Sequence, residues 1–335
     1  MKQANNNRMA YMINVVVAMF LVLLFSCSKN NLGNNSNGST PVSQQKPPAL
    51  KGRLVFHSYS CYNCNDSKLF ILDFSTGVLT QLNTGWHIDN CMNADFSPDG
   101  KYIVFMGTDK VTGNWDVYLW PVNSAAQPVN LTAALGASSR DEDPKFSNSG
   151  TRIVFKHNGH LAEMDLSGNI TRTITSGSGE ESMPYYIYDD SKILYAEGGG
   201  AGSDIYLVDK SGVSTKTEAS LPNIQEYYPI GKDSVSFLYT GGLSATSAND
   251  QIFRGFYDKS KIAQYLPFNE PSANYSDPYP CNDEYVFLSS TRTGTKGGYD
   301  LYLADIKTGN IWSLNVYNLN VNSANEELGS CYNPN

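Results

Sequence analysis

Residues 93–105 read Asn-Ala-Asp-Phe-Ser-Pro-Asp-Gly-Lys-Tyr-Ile-Val-Phe, a polar turn between two less polar segments. Pro and Gly in the Ser-Pro-Asp-Gly stretch at 97–100 favour a tight turn, while the aromatic and β-branched residues at 102–105 favour a strand. A further strand pattern, Asp-Val-Tyr, follows at 116–118. This stretch therefore predicts consecutive antiparallel strands joined by short turns.

The same pattern recurs along residues 51–335. In each copy an aromatic residue ends the apolar strand, and successive copies are 40 to 50 residues apart. These aromatic residues are Phe56, Phe105, Phe155, Tyr195, Phe237 and Phe287. A repeat of this length with four short strands is typical of a β-propeller blade. We therefore predict an all-β, six-bladed β-propeller over residues 51–335.

The two ends of the repeat region complement each other. The first copy begins at residue 52 with an apolar strand and lacks the entry strand. Residues 330–335, Ser-Cys-Tyr-Asn-Pro-Asn, match residues 94–99, Ala-Asp-Phe-Ser-Pro-Asp, and then stop. We expect the C-terminal strand to pair into the first blade, which closes the ring and covers a sheet edge.

At these residues the sequence resembles the TolB-like propeller repeats, whose pattern is an entry Pro, an aromatic residue, Ser-Pro-Asp-Gly and an apolar strand. Residues 96–100 match that turn fully, residues 146–150 match it in part, and entry prolines are kept at Pro184, Pro229 and Pro278. The resemblance implies the propeller fold but is weak for function, because one fold hosts many activities. TolB itself has an additional α/β domain, for which we expect no room in this chain, so no role in the Tol system is implied.

The N-terminus has the features of an export signal. Lys2 and Arg8 precede an eleven-residue apolar run at 15–25, too short to cross a bilayer, which takes about 20 residues. Leu-Phe-Ser-Cys at 24–27 resembles a bacterial lipoprotein signal. We expect residues 1–26 to be cleaved and Cys27 to be acylated, for example with palmitate; an ordinary signal peptide is the alternative.

Residues 27–50 are rich in Asn, Ser, Gly and Pro and lack apolar periodicity. Such a segment cannot bury enough surface to offset its ordering entropy, so it predicts a flexible tether. Together with the signal, the tether predicts a membrane-anchored protein of the cell envelope, in the outer membrane. The periplasmic and surface faces both stay open.

Charge and motif content narrow the function. With 24 Lys and Arg against 32 Asp and Glu, the net charge of −8 argues against binding to nucleic acid, which needs a basic surface. No Gly-x-Ser-x-Gly elbow, Walker loop or His-Glu-x-x-His motif is present. The four histidines, His57, His87, His157 and His160, are too few for the histidine-rich channel of metal-dependent pectate-lyase propellers. We predict no catalytic residue, no metal and no cofactor.

Charged and aromatic residues cluster just before the predicted innermost strands, where the entry loops of the blades converge on one mouth of the channel. The predicted partner-binding residues are Asp89, Arg140, Asp141, Glu142, Asp143, Glu181, Glu226, Tyr227, Tyr228, Tyr275, Asp277 and Glu327. An acidic mouth would attract a basic protein or peptide segment. Its oxygens would also suit a calcium ion. The alternative is that these side chains cap turns and face water.

Aromatic residues near that mouth, Trp86 and the three tyrosines above, would equally suit sugar rings. Cys61, Cys64 and Cys91 are disulfide candidates, because export permits disulfides and all three are predicted near the same end of blades one and two; free thiols are the alternative.

The sequence therefore predicts a non-catalytic envelope lipoprotein whose channel mouth binds a protein or peptide partner. Two alternatives stay open. One is a glycan-binding or glycan-cleaving propeller that serves polysaccharide uptake, and the other is a structural envelope component.

Overall fold

The structure is a computed structural model that describes residues 45–136, 138–187, 190–199, 202–217 and 224–335. Within these ranges, 24 strands form six separate four-stranded antiparallel sheets, with two short 3-10 helices at Ala133–Leu135 and Leu314–Val316. The predicted all-β, six-bladed propeller is confirmed. The proposed signal peptide and Cys27 lie outside the described residues. No helix in the described part of the chain is long and apolar enough to cross a membrane.

The strands follow one another in the order of the repeat. The first third of the chain forms β1 (Arg53–Tyr59), β2 (Lys68–Asp73), β3 (Val78–Gln81), β4 (Ile88–Phe96), β5 (Tyr102–Asp109), β6 (Trp115–Pro121), β7 (Val129–Asn130) and β8 (Asp141–Phe146). The next part forms β9 (Arg152–His157), β10 (His160–Asp165), β11 (Ile170–Thr173), β12 (Glu180–Ile187), β13 (Lys192–Gly199), β14 (Gly202–Asp209), β15 (Ser214–Lys216) and β16 (Glu226–Gly231). The last part forms β17 (Ser236–Gly242), β18 (Asp250–Phe256), β19 (Gln264–Tyr265), β20 (Tyr275–Pro280), β21 (Tyr285–Ser290), β22 (Asp300–Asp305), β23 (Ile311–Ser313) and β24 (Glu326–Asn333).

Blade one is built from both ends of the chain. Its sheet has the order β24-β1-β2-β3, whereas the other five blades each use four consecutive strands. β24 pairs antiparallel with β1, with Arg53 opposite Asn333 and Tyr59 opposite Glu326. The predicted ring closure is thus confirmed, and it leaves the inner edge of blade one covered.

Repeated aromatic residues form the core between blades. The six predicted aromatic positions lie on the second strand of each blade, and none is more than 1% exposed. Several stack on the third strand of their own sheet, as Phe56 does on Phe70 and Phe105 on Tyr118, with ring centroids 5.5 Å apart in both pairs. Clusters of buried side chains then join each sheet to its neighbour, which makes the ring of blades continuous.

The last six residues of the predicted tether, 45–50, lie against blade six. The indole nitrogen of Trp312 donates a hydrogen bond to the Gln45 carbonyl oxygen at 2.7 Å, and the Tyr317 hydroxyl donates to the Pro48 carbonyl oxygen at 2.7 Å. Leu50 packs on the core between blades six and one. We call residues 45–50 the strap.

Candidate functional site

The innermost strands, β4, β8, β12, β16, β20 and β24, line the central channel. β4 has two residues with positive φ, Asn90 and Asn93, and the other five strands have one each. In every one of these strands, a residue with φ between 49 and 59° lies on the channel at a bulge where the pairing register shifts. These residues are Asn93, Asp143, Met183, Tyr228, Asp277 and Gly329, and all of them line the channel. We call them the channel ring. A bulge redirects the side chain of its extra residue, which explains why these side chains face the channel.

Local sequence explains four of these bulges. A proline follows the ring residue at positions 144, 184, 229 and 278. Proline has no N–H to donate to the strand ladder, and it disfavours the right-handed helical region for the residue before it. The proline therefore interrupts the regular pairing at the bulge. The left-handed conformation belongs to the bulge itself, since Asn93 and Gly329 adopt it without a following proline.

Side chains of the channel ring bond from one blade to the next. The Asn93 side-chain amide donates to Asp143 Oδ1 at 2.7 Å, and the Met183 backbone N–H donates to Asp143 Oδ2 at 3.3 Å. The Tyr228 N–H in turn contacts Met183 Sδ at 3.3 Å. These contacts connect four neighbouring blades around the channel.

Gly329 is the ring residue without a side chain, and His57 occupies the place of one. A Cβ added at Gly329 would lie 2.5 Å from His57 Cε1. His57 Nδ1 accepts a hydrogen bond from the Asn93 N–H at 3.4 Å, so the neutral ring carries its proton on Nε2. Burial lowers the pKa of His57 to about 3, which keeps this imidazole uncharged at neutral pH.

A cavity of about 280 Å³ opens above the channel ring, at the end where the innermost strands begin; we call it the mouth. Its wall carries charges of both signs. Arg140 Nη2 lies 2.8 Å from Glu142 Oε1, Lys156 Nζ lies 3.3 Å from Glu142 Oε2, and Lys156 also pairs with Glu180. Tyr62, which is 61% exposed, stands at its edge.

Below the ring, a cavity of about 60 Å³ ends at Tyr185 and Tyr279. Lys145 lines this space, and its Nζ lies 4.0 Å from Asp95 Oδ1. Burial raises the pKa of Asp95, as it raises the pKa of Asp143 in the channel ring. It raises the pKa of Asp277, another ring residue, to about 7. The channel interior therefore solvates a charged carboxylate poorly.

The structure brings five of the predicted partner-binding residues to the mouth: Arg140, Glu142, Asp143, Tyr228 and Asp277. Tyr227 lines an adjoining cavity that shares Glu180 with the mouth, and its hydroxyl donates to Asp250 at 2.6 Å. Asp89 is exposed and lies 3.4 Å from Lys110.

The remaining predicted residues are buried away from the channel: Asp141, Glu181, Glu226, Tyr275 and Glu327. Each lies on the innermost strand of its own blade, two residues before the channel-ring residue of that strand. The side chain at this position packs into the blade. Asp141 and Glu181 are 2.6 Å from His157 Nδ1 and His160 Nδ1, respectively. Of the aromatic residues considered for sugar binding, Trp86 also lies in the core, stacked on Phe105.

Sequence reasoning missed several channel residues: Asn93, Met183 and Gly329 of the channel ring, and His57, Lys145 and Lys156 around it. Lys145 and Lys156 come from β8 and β9, and His57 from β1, so their approach depends on how the strands pair. The position directly before an entry proline is the sequence signal that would have identified most of the channel ring.

A disulfide joins Cys61 to Cys64 within the loop that carries Tyr62, whereas Cys91 is a buried free thiol. Cys281 and Cys331 are also free. Among the described residues, no group of three or more His, Cys, Asp or Glu side chains is arranged to hold a metal ion.

Comparison with solved structures shows which propellers the fold is similar to. TolB from Acinetobacter baumannii superposes with a TM-score of 0.63 at 16% identity, covering 86% of this chain and 68% of that one. A putative TolB from Agrobacterium tumefaciens gives a TM-score of 0.57 at 16% identity, covering 79% of this chain and 89% of that one. An oligogalacturonate lyase in complex with manganese superposes with a TM-score of 0.51 at 16% identity, covering 79% of this chain and 74% of the lyase chain. No family model and no curated protein sequence matches the chain.

The protein is therefore a six-bladed β-propeller with a constricted channel and a charged mouth. Its fold is that of the TolB-like propellers, as the sequence resemblance implied. At this level of identity, the likeness defines the fold alone.

Proposed function

We propose that this protein is a non-catalytic binding protein of the cell envelope, anchored through a lipid on Cys27, whose mouth receives a protein or peptide partner. The observation that carries the proposal is the form of the mouth, a cavity of about 280 Å³ with a charged wall and a floor narrowed by the channel ring. A cavity of this form suits a partner that inserts a protruding side chain, loop or chain end, and it does not suit a partner with a flat surface.

The wall chemistry supports a charged partner segment. Arg140 has a side chain that is 56% exposed and Glu180 one that is 66% exposed, so both can exchange their present ion pairs for a partner's charges. The inner partners, Glu142 and Lys156, are mostly buried but lie 3.3 Å from each other, so each keeps a counter-charge when Arg140 or Glu180 turns to the partner. Tyr62 adds a rigid aromatic surface at the rim, the type of residue enriched among binding hot spots.

The test is affinity capture from a native envelope extract with the full chain, followed by mass spectrometry. We expect partners that are retained at 50 mM salt, released at 500 mM salt, and lost with the double variant R140A/Y62A. Lys101→Ala is the matched control, because Lys101 is an exposed cation beside the turn at 97–100, at the opposite end of the innermost strands.

Other outcomes would favour the alternatives. Salt-insensitive binding of oligosaccharides that Tyr62→Ala abolishes would favour a glycan-binding propeller. A capture profile that R140A/Y62A leaves unchanged would contradict the proposed site and favour a structural component.

A further inference from the structure

The floor of the mouth contains a buried carboxylate with an open oxygen. Asp277 is only 9% exposed and lines the cavities on both sides of the channel ring. Its Oδ2 atom is buried and accepts no hydrogen bond, although the Ser276 side chain and the Gly329 backbone N–H interact with the same carboxyl group. A buried acceptor left unpaired costs free energy that a bound donor would recover.

Asp143, the second acid of the channel ring, lies beside this open oxygen. Both of its oxygens already accept hydrogen bonds, from Asn93 and from the Met183 backbone. Asp143 therefore contributes negative potential, while Asp277 contributes the free acceptor. Two lysines lie near these acids: Lys145, which is 4.0 Å from Asp95 on the other side of the ring, and Lys156, which pairs with Glu142 and Glu180 in the wall of the mouth. Both ammonium groups are thus engaged with other carboxylates, and neither donates to Asp277 Oδ2.

We infer that the floor of the mouth binds one primary ammonium group of the partner, a lysine side chain or a chain N-terminus, through Asp277 Oδ2 beside Asp143. This inference rests on the proposed function, because it assigns a group of the partner to the mouth. An ammonium group is compact and needs no planar pair of acceptors, whereas a guanidinium uses two acceptors side by side. Only one open oxygen is available here, which favours the ammonium group.

The environment of Asp277 gives the interaction a pH dependence. The charged and titratable groups facing it are Asp143, Lys145, His57, Tyr59, Tyr227, Tyr228 and Tyr299. Burial keeps His57 neutral and raises the pKa of the four tyrosines, so these five groups do not change charge between pH 6 and 8. With a pKa of about 7, Asp277 is mostly ionised at pH 8 and mostly protonated at pH 6. Ammonium binding should therefore strengthen as the pH rises through 7.

The experiment uses the full chain and blocked pentapeptides, with binding followed by saturation-transfer NMR. The probe is acetyl-Gly-Gly-Lys-Gly-Gly-amide, compared with the same peptide carrying acetyl-lysine and with unblocked Gly-Gly-Gly-Gly-Gly-amide, which offers only an N-terminal ammonium. We expect the lysine peptide to bind about tenfold more weakly at pH 6 than at pH 8, following the ionised fraction of Asp277. At least one of the two peptides with an ammonium group should bind. If the lysine peptide binds, the same peptide carrying acetyl-lysine should not.

Asp277→Asn is the test variant and should lose at least tenfold in affinity at pH 8. Asp99→Asn, the same substitution at an exposed acid at the opposite end of the innermost strands, is the control and should bind as the wild type does. Folding of the test variant is checked by melting at pH 8. Because the native state holds its Asp277 proton up to about pH 7 and the unfolded chain only up to about 3.8, stability falls as the pH rises between these two values, and the loss is complete at pH 8. The amide removes this loss, so the variant should melt no lower than the wild type.

Equal binding of the lysine and acetyl-lysine peptides, or unchanged binding to Asp277→Asn, would overturn the inference. Calcium binding that requires Asp277, without binding of any ammonium peptide, would also overturn it and make a metal ion the occupant. If envelope capture persists with Asp277→Asn but is lost with R140A/Y62A, the proposed function stands and the ammonium site fails.

Discussion

At the scale of single residues, the channel depends on which position of each innermost strand has positive φ. Asp143, Met183, Tyr228 and Asp277 each precede a proline, so the break in strand pairing at these positions follows from the local sequence. The side chains at these positions differ in chemistry from blade to blade. The same propeller fold can therefore carry a channel whose lining is particular to this protein. Blade one is the clearest case: Gly329 has no side chain, and the imidazole of His57 fills the space that a side chain would occupy there.

Gly329→Ala is expected to destabilise the protein by roughly 2–4 kcal/mol, because the new Cβ would meet His57 Cε1 at 2.5 Å inside a packed region. The measurement is the free energy of unfolding in denaturant. Gly113→Ala is the control, since Gly113 also has positive φ (69°) but nothing within 4 Å of its added Cβ, and it should cost only about 1 kcal/mol.

A double-mutant cycle separates the clash from other effects. Gly329→Ala combined with His57→Ala should cost less than the sum of the two single changes by at least about 1 kcal/mol. Strict additivity would contradict the close contact between these two residues.

At the scale of elements, the innermost strands begin earlier than the sequence pattern indicates. β8 starts at Asp141 and β12 at Glu180, so acids expected in entry loops are strand residues. Successive strand residues point to opposite sides, which turns Asp141 and Glu181 into the blades, where histidines pair with them. The acidic rim is therefore smaller than the composition of these segments predicts, and Arg140 and Lys156 offset much of the charge that remains.

The strap is an element that the sequence assigns to the tether. A shortened chain that starts at residue 51 should be less stable than one that starts at residue 45, by roughly 2–3 kcal/mol, because it loses three hydrogen bonds, one of them from Asn310 to the Gln45 side chain, and the packing of Leu50. Chemical denaturation of both chains measures this difference. Equal denaturation midpoints would show that the strap contributes nothing to the fold.

At the scale of the whole molecule, ring closure by β24 joins the last strand of the chain to the first. β24 supplies the innermost strand of blade one and places Cys331 in the core between blades one and two. It also contributes Gly329 to the channel ring. Closure and channel thus depend on the same strand.

Deletion of residues 326–335, which removes β24, should abolish a single cooperative melting transition and yield an aggregating product, because it exposes the inner edge of blade one. Calorimetry and size-exclusion chromatography measure both effects. Deletion of only Pro334 and Asn335, which are exposed, is the control. A ten-residue deletion that melts like the intact chain would contradict closure as a requirement for stability.

Much of the fold could be predicted from the sequence, because blade formation depends on short-range signals. The aromatic residue at the end of each second strand, the turn at 97–100 and the spacing between copies all lie within single blades. The site was predicted only in part. Arg140, Glu142 and Asp143 reach the mouth, but Glu226, Tyr275 and Glu327 do not, since their orientation depends on strand starts and bulges that composition does not reveal.

The sequence by itself determined the number of blades, their aromatic core and the pairing of the two ends, because each follows from the period of apolar and turn residues along the chain. Lipidation at Cys27 and the place in the envelope stay predictions. Only the tertiary structure decided which side chains form the channel. His57 meets Gly329, and Asp277 lies near Asp143, across distances in sequence that no local pattern connects, because the closed ring brings different blades to one axis.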